Sequence, residues 1–351
     1  MARGGLVLGI ETSCDETSAA VVAEGRDVLS SLVSSQVALH EKYRGVVPEI
    51  AARAHVEQLV PLVEQALREA GVGYGDLDAV AVTGGPGLVG ALLIGVTAAR
   101  TLALTRGLPL VAVDHVEAHA TSAALGVDPP PWPAVALVVS GGHTALYLVR
   151  GSLDVELLGQ TVDDAAGEAF DKVAALLELS YPGGPHIERL ARDGRADAIR
   201  FPRTWIDEPH ANFSFSGLKT AVLYHVHGVG NKYGSLRHLS PSERADVAAS
   251  FQAALVDVLV TKTIATAQRL GVGNVVIGGG VAVNGALRGE LAAACAAAGV
   301  RLHLTQPQYC TDNAAMIAAQ GYHLLRAGRI ADLSLEPWAG LRRTGRARAL
   351  Q

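Results

Sequence analysis

The chain begins with three short apolar runs separated by polar turns, and this pattern predicts three β-strands between Leu6 and Ser35. Pro48 then opens an amphipathic pattern that runs to Ala70 and stops at Gly71, which is typical of a long helix. The run DAVAVTGGPG predicts a buried strand ending in a glycine turn, and an apolar helix, another strand and the helix HVEAHATSAAL follow it. The first third of the chain therefore predicts an α/β unit.

The same order of elements restarts after the proline-rich stretch PPPWP at 129–133. VALVVSGGHTALYLV and DVELLGQTV predict three more strands, and NVVIGGGVAVN repeats the strand with its glycine turn. More residues separate the third strand from the strand with the glycine turn in the second repeat than in the first. The additional residues predict a mostly helical insertion at about 164–240. We therefore expect a duplicated α/β fold with an N-terminal lobe, 1–128, and a C-terminal lobe, 129–351. In such folds ligands bind in the crevice beyond the carboxyl ends of the strands.

Composition narrows the function classes. Of 351 residues 49% are apolar and 18% are charged, which excludes a disordered chain. The net charge of −5 argues against a chain that binds nucleic acid alone, so any RNA contact needs a local patch or a partner. Cys14, Cys295 and Cys310 are far apart in sequence, which argues against a disulfide framework or a thiolate zinc site.

We expect a soluble, cytoplasmic protein with no membrane segment. The apolar run Leu6 to Ile10 is cut off by Glu11 and is too short for the core of a signal peptide. The longest apolar stretch, 88–99, ends at Arg100 and is too short to span a bilayer.

Three glycine or hydroxyl turns are predicted at matching places in the two repeats: 11–13, 140–144 and 278–280. Glycine lets backbone N–H groups approach a phosphate closely. An ordinary turn explains any one of them equally well, but together they favour a nucleotide cleft. The P-loop consensus does not occur in the chain.

His115 and His119 stand four residues apart on a predicted helix, so both lie on one face and can hold one metal ion. Glu117 points to roughly the opposite side, unlike the glutamate of the zinc-protease motif H-E-x-x-H. Two surface histidines on a polar helix face are the alternative. Asp312 precedes the last long helix and follows a strand, which makes it the candidate third ligand, although it could instead cap that helix. A His-His-carboxylate set suits iron(II) or zinc.

The insertion contains further candidate ligand-binding residues, and each of them also has a purely structural explanation. Asp171 could receive a ribose hydroxyl or an amine, or could belong to a solvated helix face. Gly184 lies in the tight turn YPGGP, where the backbone could approach a ligand. Arginines that could contact phosphates, or could simply be solvated, are Arg189, Arg192, Arg195, Arg200 and Arg203 in the insertion and Arg342, Arg343, Arg346 and Arg348 in the tail.

Nine motifs occur in order along about 6–325: GIETSCDET (9–17), TGGPGLVGALL (83–93), HVEAH (115–119), VSGGHT (139–144), DDAAGEAFDK (163–172), YPGGP (181–185), FSFSGLKT (213–220), GGGVAVN (278–284) and CTDNAAMIA (310–318). Together they resemble the bacterial form of the TsaD family, the tRNA threonylcarbamoyladenosine transferases once misnamed O-sialoglycoprotein endopeptidases.

The resemblance implies the ASKHA fold of sugar kinases, heat-shock chaperones and actin. It implies transfer of a threonylcarbamoyl group from threonylcarbamoyl-AMP to N6 of the adenosine just 3′ of the anticodon, in tRNAs that read codons beginning with A. It also implies one divalent metal, Fe²⁺ in preference to Zn²⁺, held by His115, His119 and Asp312. The implied substrate contacts are Val138, Val139, Ser140, Gly141, Gly142, Asp171, Gly184, Glu188 and Asn284.

The implied partners are tRNA, a TsaB-like paralogue and a small TsaE-like ATPase. Asp171 is our hypothesis for the catalytic group that helps to remove the proton from the adenine amine. Two other functions compete with this one: a metal-dependent protease, and an ATP-binding kinase or ATPase of the same fold.

Overall fold

The structure is a computed structural model that describes residues 5–228 and 239–340. The tail arginines and residues 229–238 of the predicted insertion lie outside the described residues. Two five-stranded sheets form the centre of the fold. The first sheet contains β1 (Leu6–Glu11), β2 (Glu16–Ala23), β3 (Asp27–Ser35), β4 (Ala79–Gly85) and β5 (Leu110–Asp114). The second contains β6 (Ala134–Val139), β7 (Thr144–Gly151), β8 (Asp154–Gln160), β9 (Asn274–Gly278) and β10 (Arg301–Leu304).

The two sheets share one topology, with strand orders β3-β2-β1-β4-β5 and β10-β9-β6-β7-β8. In each sheet the first strand pairs antiparallel with the second, and the second pairs antiparallel with the third. The fourth strand pairs parallel with the first, and the fifth pairs parallel with the fourth. Strands such as β1, β4, β6 and β9 are buried along their whole length, as expected for sheets covered by helices. The predicted duplicated α/β fold is confirmed.

Helices cover both sheets. They are α1 (Val37–His40), α2 (Pro48–Ala70), α3 (Val89–Arg106), α4 (His115–Thr121), α5 (Ala166–Leu176), α6 (Gly183–Ala191), α7 (Ser216–His227), α8 (Pro241–Leu270), α9 (Gly285–Ala298) and α10 (Ala314–Arg326). The predicted bounds of α2 are confirmed: Pro48 occupies its first turn, and Gly71 ends it in the left-handed conformation at φ 68°.

The last helix, α10, packs on the first sheet, although the sequence places it in the predicted C-terminal lobe. A β-carbon on Gly9 of β1 would lie 2.1 Å from the Ala314 carbonyl oxygen, and one on Gly321 would lie 2.4 Å from the Ala81 β-carbon. Glycine at these two positions lets the helix backbone approach the strands closely. Ser18 of β2 accepts a hydrogen bond from the Ala314 N–H at 2.8 Å and so anchors the start of α10.

We expect Gly9→Ala to lower the free energy of unfolding by at least about 3 kcal/mol, because the new methyl group overlaps fixed backbone atoms of α10. The matched control is Gly45→Ala, where a β-carbon would meet nothing within 4 Å. That control should change stability by less than about 1 kcal/mol. Urea unfolding of the two variants measures the difference, and equal stabilities would contradict the close packing of α10 on β1.

The insertion is less helical than predicted. Within its described residues it contains α5, α6 and α7, but 192–215 carries neither helix nor ladder strand apart from an isolated bridge of Phe213 to Thr161. Lys262 of α8 holds the backbone of the 192–215 segment in place. Its buried ammonium donates to the carbonyl oxygens of Trp205, Glu208 and His210 at 2.8, 3.3 and 2.8 Å. A tertiary contact thus replaces the backbone pairing that a helix would provide.

Two helices are long and apolar enough to cross a membrane by length and composition, α3 and α8. The apolar stretch predicted at 88–99 continues through Arg100, and the helix that contains it ends at Arg106. Both helices belong to the fold: α8 is largely buried, and α3 packs Val96, Ala99 and Ala103 against the first sheet. A buried core helix of this composition passes the same test, so the finding is weak evidence for a membrane.

Candidate metal centre and substrate cleft

The site begins where β5 ends. Asp114 caps α4 by accepting hydrogen bonds from the Val116 and Glu117 N–H groups at 2.9 and 3.1 Å. The helix therefore starts at His115, and its i, i+4 spacing puts His115 and His119 on one buried face. Their ring centroids are 4.7 Å apart at an angle of 88°. The alternative of two surface histidines is wrong.

Asp312 joins these histidines from the head of α10. Its Oδ1 lies 3.4 Å from Nε2 of His115 and 3.1 Å from Nε2 of His119. Asn313 caps α10 by accepting from the Met316 N–H at 3.0 Å, so the capping role considered for Asp312 is wrong. Because another residue caps the helix, the carboxylate is left to face the imidazoles. Asp312 reaches the site from a helix on the first sheet rather than from the second sheet.

Glu11, at the end of β1, supports His115 from the other side. Its fully buried carboxylate lies 2.8 Å from Nδ1 of His115 and accepts a hydrogen bond from the Thr83 hydroxyl at 2.6 Å. A carboxylate on one ring nitrogen leaves the other nitrogen free to bind a metal. The sequence analysis placed Glu11 in the 11–13 turn but missed its contact with His115; a charge at the end of an otherwise apolar strand was the signal that could have revealed it.

Charge and burial oppose each other in this cluster. Burial alone would raise the pKa of Asp312, but His115 and His119 hold the pKa of this carboxyl well below its usual value. Burial would lower the pKa of His115, whereas Asp312 and Glu11 hold it well above its usual value. Burial lowers the pKa of His119. The arrangement favours ionised carboxylates beside a positive charge.

His115, His119 and Asp312 could hold a divalent metal ion. One donor atom from each lies within 4.8 Å of the others. Within the described part of the chain, Nδ1 of His119 is buried without a hydrogen-bond partner, whereas its Nε2 faces the Asp312 carboxylate at 3.1 Å. Two imidazoles and one carboxylate are the donor set that iron(II) and zinc sites use. Glu117 is not part of the cluster.

The predicted substrate residues Val138 to Gly142 form the end of β6 and the turn into β7. Ser140 closes this turn: its hydroxyl accepts from the His143 N–H at 3.1 Å. The 278–280 turn packs directly on it, since a β-carbon on Gly279, at φ 93°, would lie 2.3 Å from the Val139 carbonyl oxygen. A β-carbon on Gly278 would lie 2.6 Å from the His119 carbonyl oxygen. The second sheet's glycine turns therefore adjoin the metal-ligand helix.

Asp171 and Gly184 lie together at the junction of α5 and α6. The Asp171 carboxylate accepts from the Gly183 N–H at 2.7 Å. Burial raises the pKa of Asp171 to about 6; the Gly183 bond lowers it, and nearby Asp15 of the first sheet adds to the rise. Gly184 is open on its side-chain face, since a β-carbon there would meet nothing within 4 Å. The Asp15 carboxyl therefore acts electrostatically on the Asp171 carboxyl.

Glu188 and Asn284 meet at the other end of α6. Glu188 accepts from the Gly285 N–H at 3.1 Å and from the Asn284 amide at 3.5 Å. Asn284 also caps α9 through Leu287 and donates to Gln252 at 2.9 Å. The structure thus brings the predicted substrate residues into neighbouring groups, and their roles as substrate contacts stay a prediction.

His143 belongs to the predicted 140–144 turn, but its place beside His115 was not predicted. Its ring centroid lies 6.0 Å from that of His115, and burial lowers its pKa to about 4. The ring is therefore neutral at pH 7. Its place directly after the glycines of the 140–144 turn was the available signal.

The insertion arginines are partly neutralised. Arg195 pairs with Asp246 and Arg203 pairs with Asp257, both at 2.8 Å. Arg192 lies 3.6 Å from Glu188. Exposed pairs of this kind contribute little to stability, but they reduce the positive potential that a phosphate would meet.

Two sheets of one repeated topology, each covered by helices, define the ASKHA fold of sugar kinases, heat-shock chaperones and actin. Solved structures agree on the fold: HypF from T. kodakarensis matches at a TM-score of 0.60 with 17% identity, over 92% of this chain and 48% of that one. Component A of the Acidaminococcus fermentans (R)-2-hydroxyglutaryl-CoA dehydratase matches at 0.51 with 17% identity, over 91% and 98% of the two chains.

Sequence comparison gives the family. The family model described as tRNA N6-adenosine threonylcarbamoyltransferase, TsaD, matches residues 27–319. The protein of that name from Symbiobacterium thermophilum is 54% identical over 337 residues, 96% of each chain. The one from Pelobacter propionicus is 51% identical over 333 residues, 94% of this chain and 95% of the relative. The chain belongs to the family of tRNA N6-adenosine threonylcarbamoyltransferases, and it is a transferase.

Proposed function

We propose that this chain transfers the threonylcarbamoyl group of threonylcarbamoyl-AMP to N6 of the adenosine just 3′ of the anticodon, in tRNAs that read codons beginning with A. The observation that carries the proposal is the convergence of His115, His119 and Asp312 beside the cleft in a chain of this family. We also propose a cytoplasmic location, where tRNA is modified.

The reaction is an acyl transfer to a weak nucleophile. The N6 amine of adenine attacks the carbonyl carbon of the mixed anhydride, so a nitrogen–carbon bond forms and the carbon–oxygen bond to phosphate breaks. AMP leaves with the electron pair, and the amine loses one proton. AMP is a good leaving group, and the main barrier is therefore holding the poor nucleophile at attack distance.

The chain's own groups have separate tasks in this proposal. The N–H groups of the 140–144 turn bind the phosphate of the adenylate, where charge grows as AMP leaves. Glu188 and Asn284 hold the nucleoside end, and Asp171 accepts the proton of the amine. When bound by His115, His119 and Asp312, a divalent metal, which we propose to be Fe²⁺ with Zn²⁺ as the alternative, supplies positive charge for the transferring group.

Protonation of Asp171 should cause the transfer rate to fall at low pH, which we call the acid limb of the rate–pH profile. With a pKa of about 6, its base form is lost as the pH falls below 6, so kcat/KM should fall about tenfold per pH unit there and be level above about pH 7. Asp171→Asn should lose this limb and lower kcat by about 10²-fold or more. Rate–pH profiles of the reconstituted enzyme measure both effects. Glu290→Gln, at an exposed position of α9, is the matched control, and an unchanged rate in Asp171→Asn would refute the role.

The same carboxyl links stability to pH. Because folding raises its pKa from 3.8 to about 6, its contribution to stability is present below pH 3.8 and is lost as the pH rises through 6. Relative to Asp171→Asn, the wild type should therefore lose stability between these values.

We propose that tRNA binding needs partner proteins, the TsaB-like paralogue and the TsaE-like ATPase. The net charge of −5 and the paired insertion arginines support this. The chain alone should bind tRNA at least about tenfold more weakly than the reconstituted assembly at about 150 mM salt. Fluorescence anisotropy with labelled tRNA measures the two affinities. Tight, salt-sensitive binding by the isolated chain would contradict the proposal.

An exposed apolar face on α2 and α3 supports docking of the paralogue. Val56 and Val60 of α2 are 60% and 58% exposed, and Val89 and Leu93 of α3 are 52% and 47% exposed. The two helices touch beside these residues, at Ala52 and Gly90. Large exposed apolar side chains grouped on one face are typical of protein interfaces. A helical face of the paralogue is the occupant that we propose.

The direct test of function mixes this chain with threonylcarbamoyl-AMP, its partner proteins and tRNA, and examines the digested nucleosides by mass spectrometry. We expect threonylcarbamoyladenosine at the position 3′ of the anticodon. Peptide cleavage that a chelator abolishes would instead support a protease, and rapid ATP hydrolysis without metal would support a kinase or ATPase. Unmodified tRNA under all conditions would refute the transferase proposal.

A further inference from the structure

His55 of α2 is a fully buried histidine that neither the metal cluster nor the predicted substrate residues include. Its ring reaches the turn between β1 and β2, residues 12–15, which we call the β1–β2 turn. Nε2 of His55 lies 3.0 Å from the Cys14 carbonyl oxygen. A helix that covers the sheet therefore holds the backbone of this turn.

The neighbours of the ring select one protonation state. A carbonyl oxygen can only accept, so Nε2 carries the proton and donates to Cys14. Nδ1 is then an acceptor, and it faces the Thr17 hydroxyl at 2.7 Å and the Gln36 amide nitrogen at 3.3 Å. Burial lowers the pKa of His55, which agrees with a neutral ring.

Three consecutive carbonyl groups of the turn are each held by a different donor. Leu88 N–H donates to Ser13 at 2.8 Å, His55 donates to Cys14, and Gln36 N–H donates to Asp15 at 2.9 Å. Of these donors, only the imidazole belongs to a side chain, so it is the one that a substitution can remove without changing the backbone.

The β1–β2 turn connects the two halves of the site. On one side, the Ser13 hydroxyl lies 3.3 Å from Nδ1 of His115. On the other side, Asp15 is 8% exposed, and its charge adds to the rise in the pKa of Asp171. A shift of the Cys14 peptide would move Ser13 and Asp15 together, and with them the spacing between the metal cluster and the second-sheet carboxyl.

We propose that His55 is a positioning residue for the transfer reaction: its Nε2–H fixes the Cys14 peptide and thereby sets the positions of Ser13 and Asp15 in the cleft. The inference rests on the proposed function. A displacement of about 1 Å at reacting groups can cost about a hundredfold in rate, although His55 itself touches no substrate.

The test compares His55→Gln with His55→Asn in the full chain reconstituted with its partners, threonylcarbamoyl-AMP and tRNA. Glutamine carries an N–H donor near the place of Nε2, whereas the shorter asparagine mimics only the Nδ1 side. We expect His55→Gln to keep kcat within about threefold of wild type and His55→Asn to lose about 10- to 100-fold, with KM for tRNA unchanged. A merely structural role would not separate the two variants in this way.

Ser250→Ala is the matched control. Ser250 is equally buried, but its hydroxyl bonds to the backbone of Ile199 and Arg195 in the insertion rather than to the β1–β2 turn. The control should lower the melting temperature and leave kcat at the wild-type level. Equal rates in His55→Gln and His55→Asn, or an equal loss of rate in Ser250→Ala, would overturn the inference.

Hydrogen exchange separates this inference from the proposed function. Peptides covering residues 12–15 should exchange at least about tenfold faster in His55→Asn than in His55→Gln, whether or not the enzyme modifies tRNA. Wild-type enzyme that forms no product would refute the function alone. Identical exchange of the turn in both variants would refute the positioning role.

Discussion

Asp312→Asn is expected to lower kcat for transfer to tRNA by about 10³-fold. The Asp312 carboxylate stands within 3.4 Å of both Nε2 atoms of the histidine pair and brings the negative charge to the three-residue cluster. Asparagine keeps the shape and removes the charge. A metal in such a site contributes several kcal/mol to the transition state, and each ~1.36 kcal/mol is a factor of ten in rate. Single-turnover transfer assays measure the loss.

The neighbouring substitution Thr311→Ser is the control, because it retains the hydroxyl and leaves the cluster intact. It should change kcat by less than about threefold. Metal content by inductively coupled plasma mass spectrometry should fall in Asp312→Asn and stay unchanged in Thr311→Ser. An Asp312→Asn enzyme with wild-type rate and metal content would contradict the assignment.

The second large effect is expected at Glu11. Glu11→Gln should weaken metal binding by about 10- to 100-fold, because the Glu11 carboxylate orients His115 through Nδ1. The amide keeps one oxygen that can accept from Thr83, and it loses only the acceptor of the Ser13 N–H, so the fold should survive. Glu11→Leu removes the carboxylate that the buried Thr83 hydroxyl, the Ser13 N–H and Nδ1 of His115 contact, and it should lower the free energy of unfolding by about 3 kcal/mol or more.

Isothermal titration with Zn²⁺ measures the affinity of each variant, and urea unfolding measures its stability. Glu24→Gln, at an exposed turn of the same sheet, is the control for a lost negative charge. Wild-type metal affinity in Glu11→Gln would show that His115 needs no such support.

Local patterns predicted most of the fold. Alternation and turns predicted the strands of both sheets, and a proline and a glycine marked the ends of α2, because these signals act within a few residues. The packing of α10 on the first sheet depends on Gly9 and Gly321, which are 312 positions apart, so no local pattern reports it. The irregular segment 192–215 likewise depends on Lys262, more than 50 residues away.

As with the fold, the parts of the site that depend on local sequence spacing were predicted, and the contacts between distant residues were not. Helical spacing pairs His115 with His119, and the position of Asp312 between a strand and a helix made it the third candidate. Glu11 contacts His115 across 104 residues, and His55 contacts Cys14 across 41. Such partners are chosen by tertiary packing, and a single sequence does not state which buried polar groups meet.

Anomalous X-ray scattering from a crystal of the metal-loaded chain, recorded at the absorption edge of the bound metal, would locate the ion itself. We expect one strong peak about 2.0–2.2 Å from Nε2 of His115, Nε2 of His119 and a carboxylate oxygen of Asp312. A peak bound by other residues, or no peak in enzyme that transfers the threonylcarbamoyl group at full rate, would contradict the His-His-Asp metal centre and the mechanism built on it.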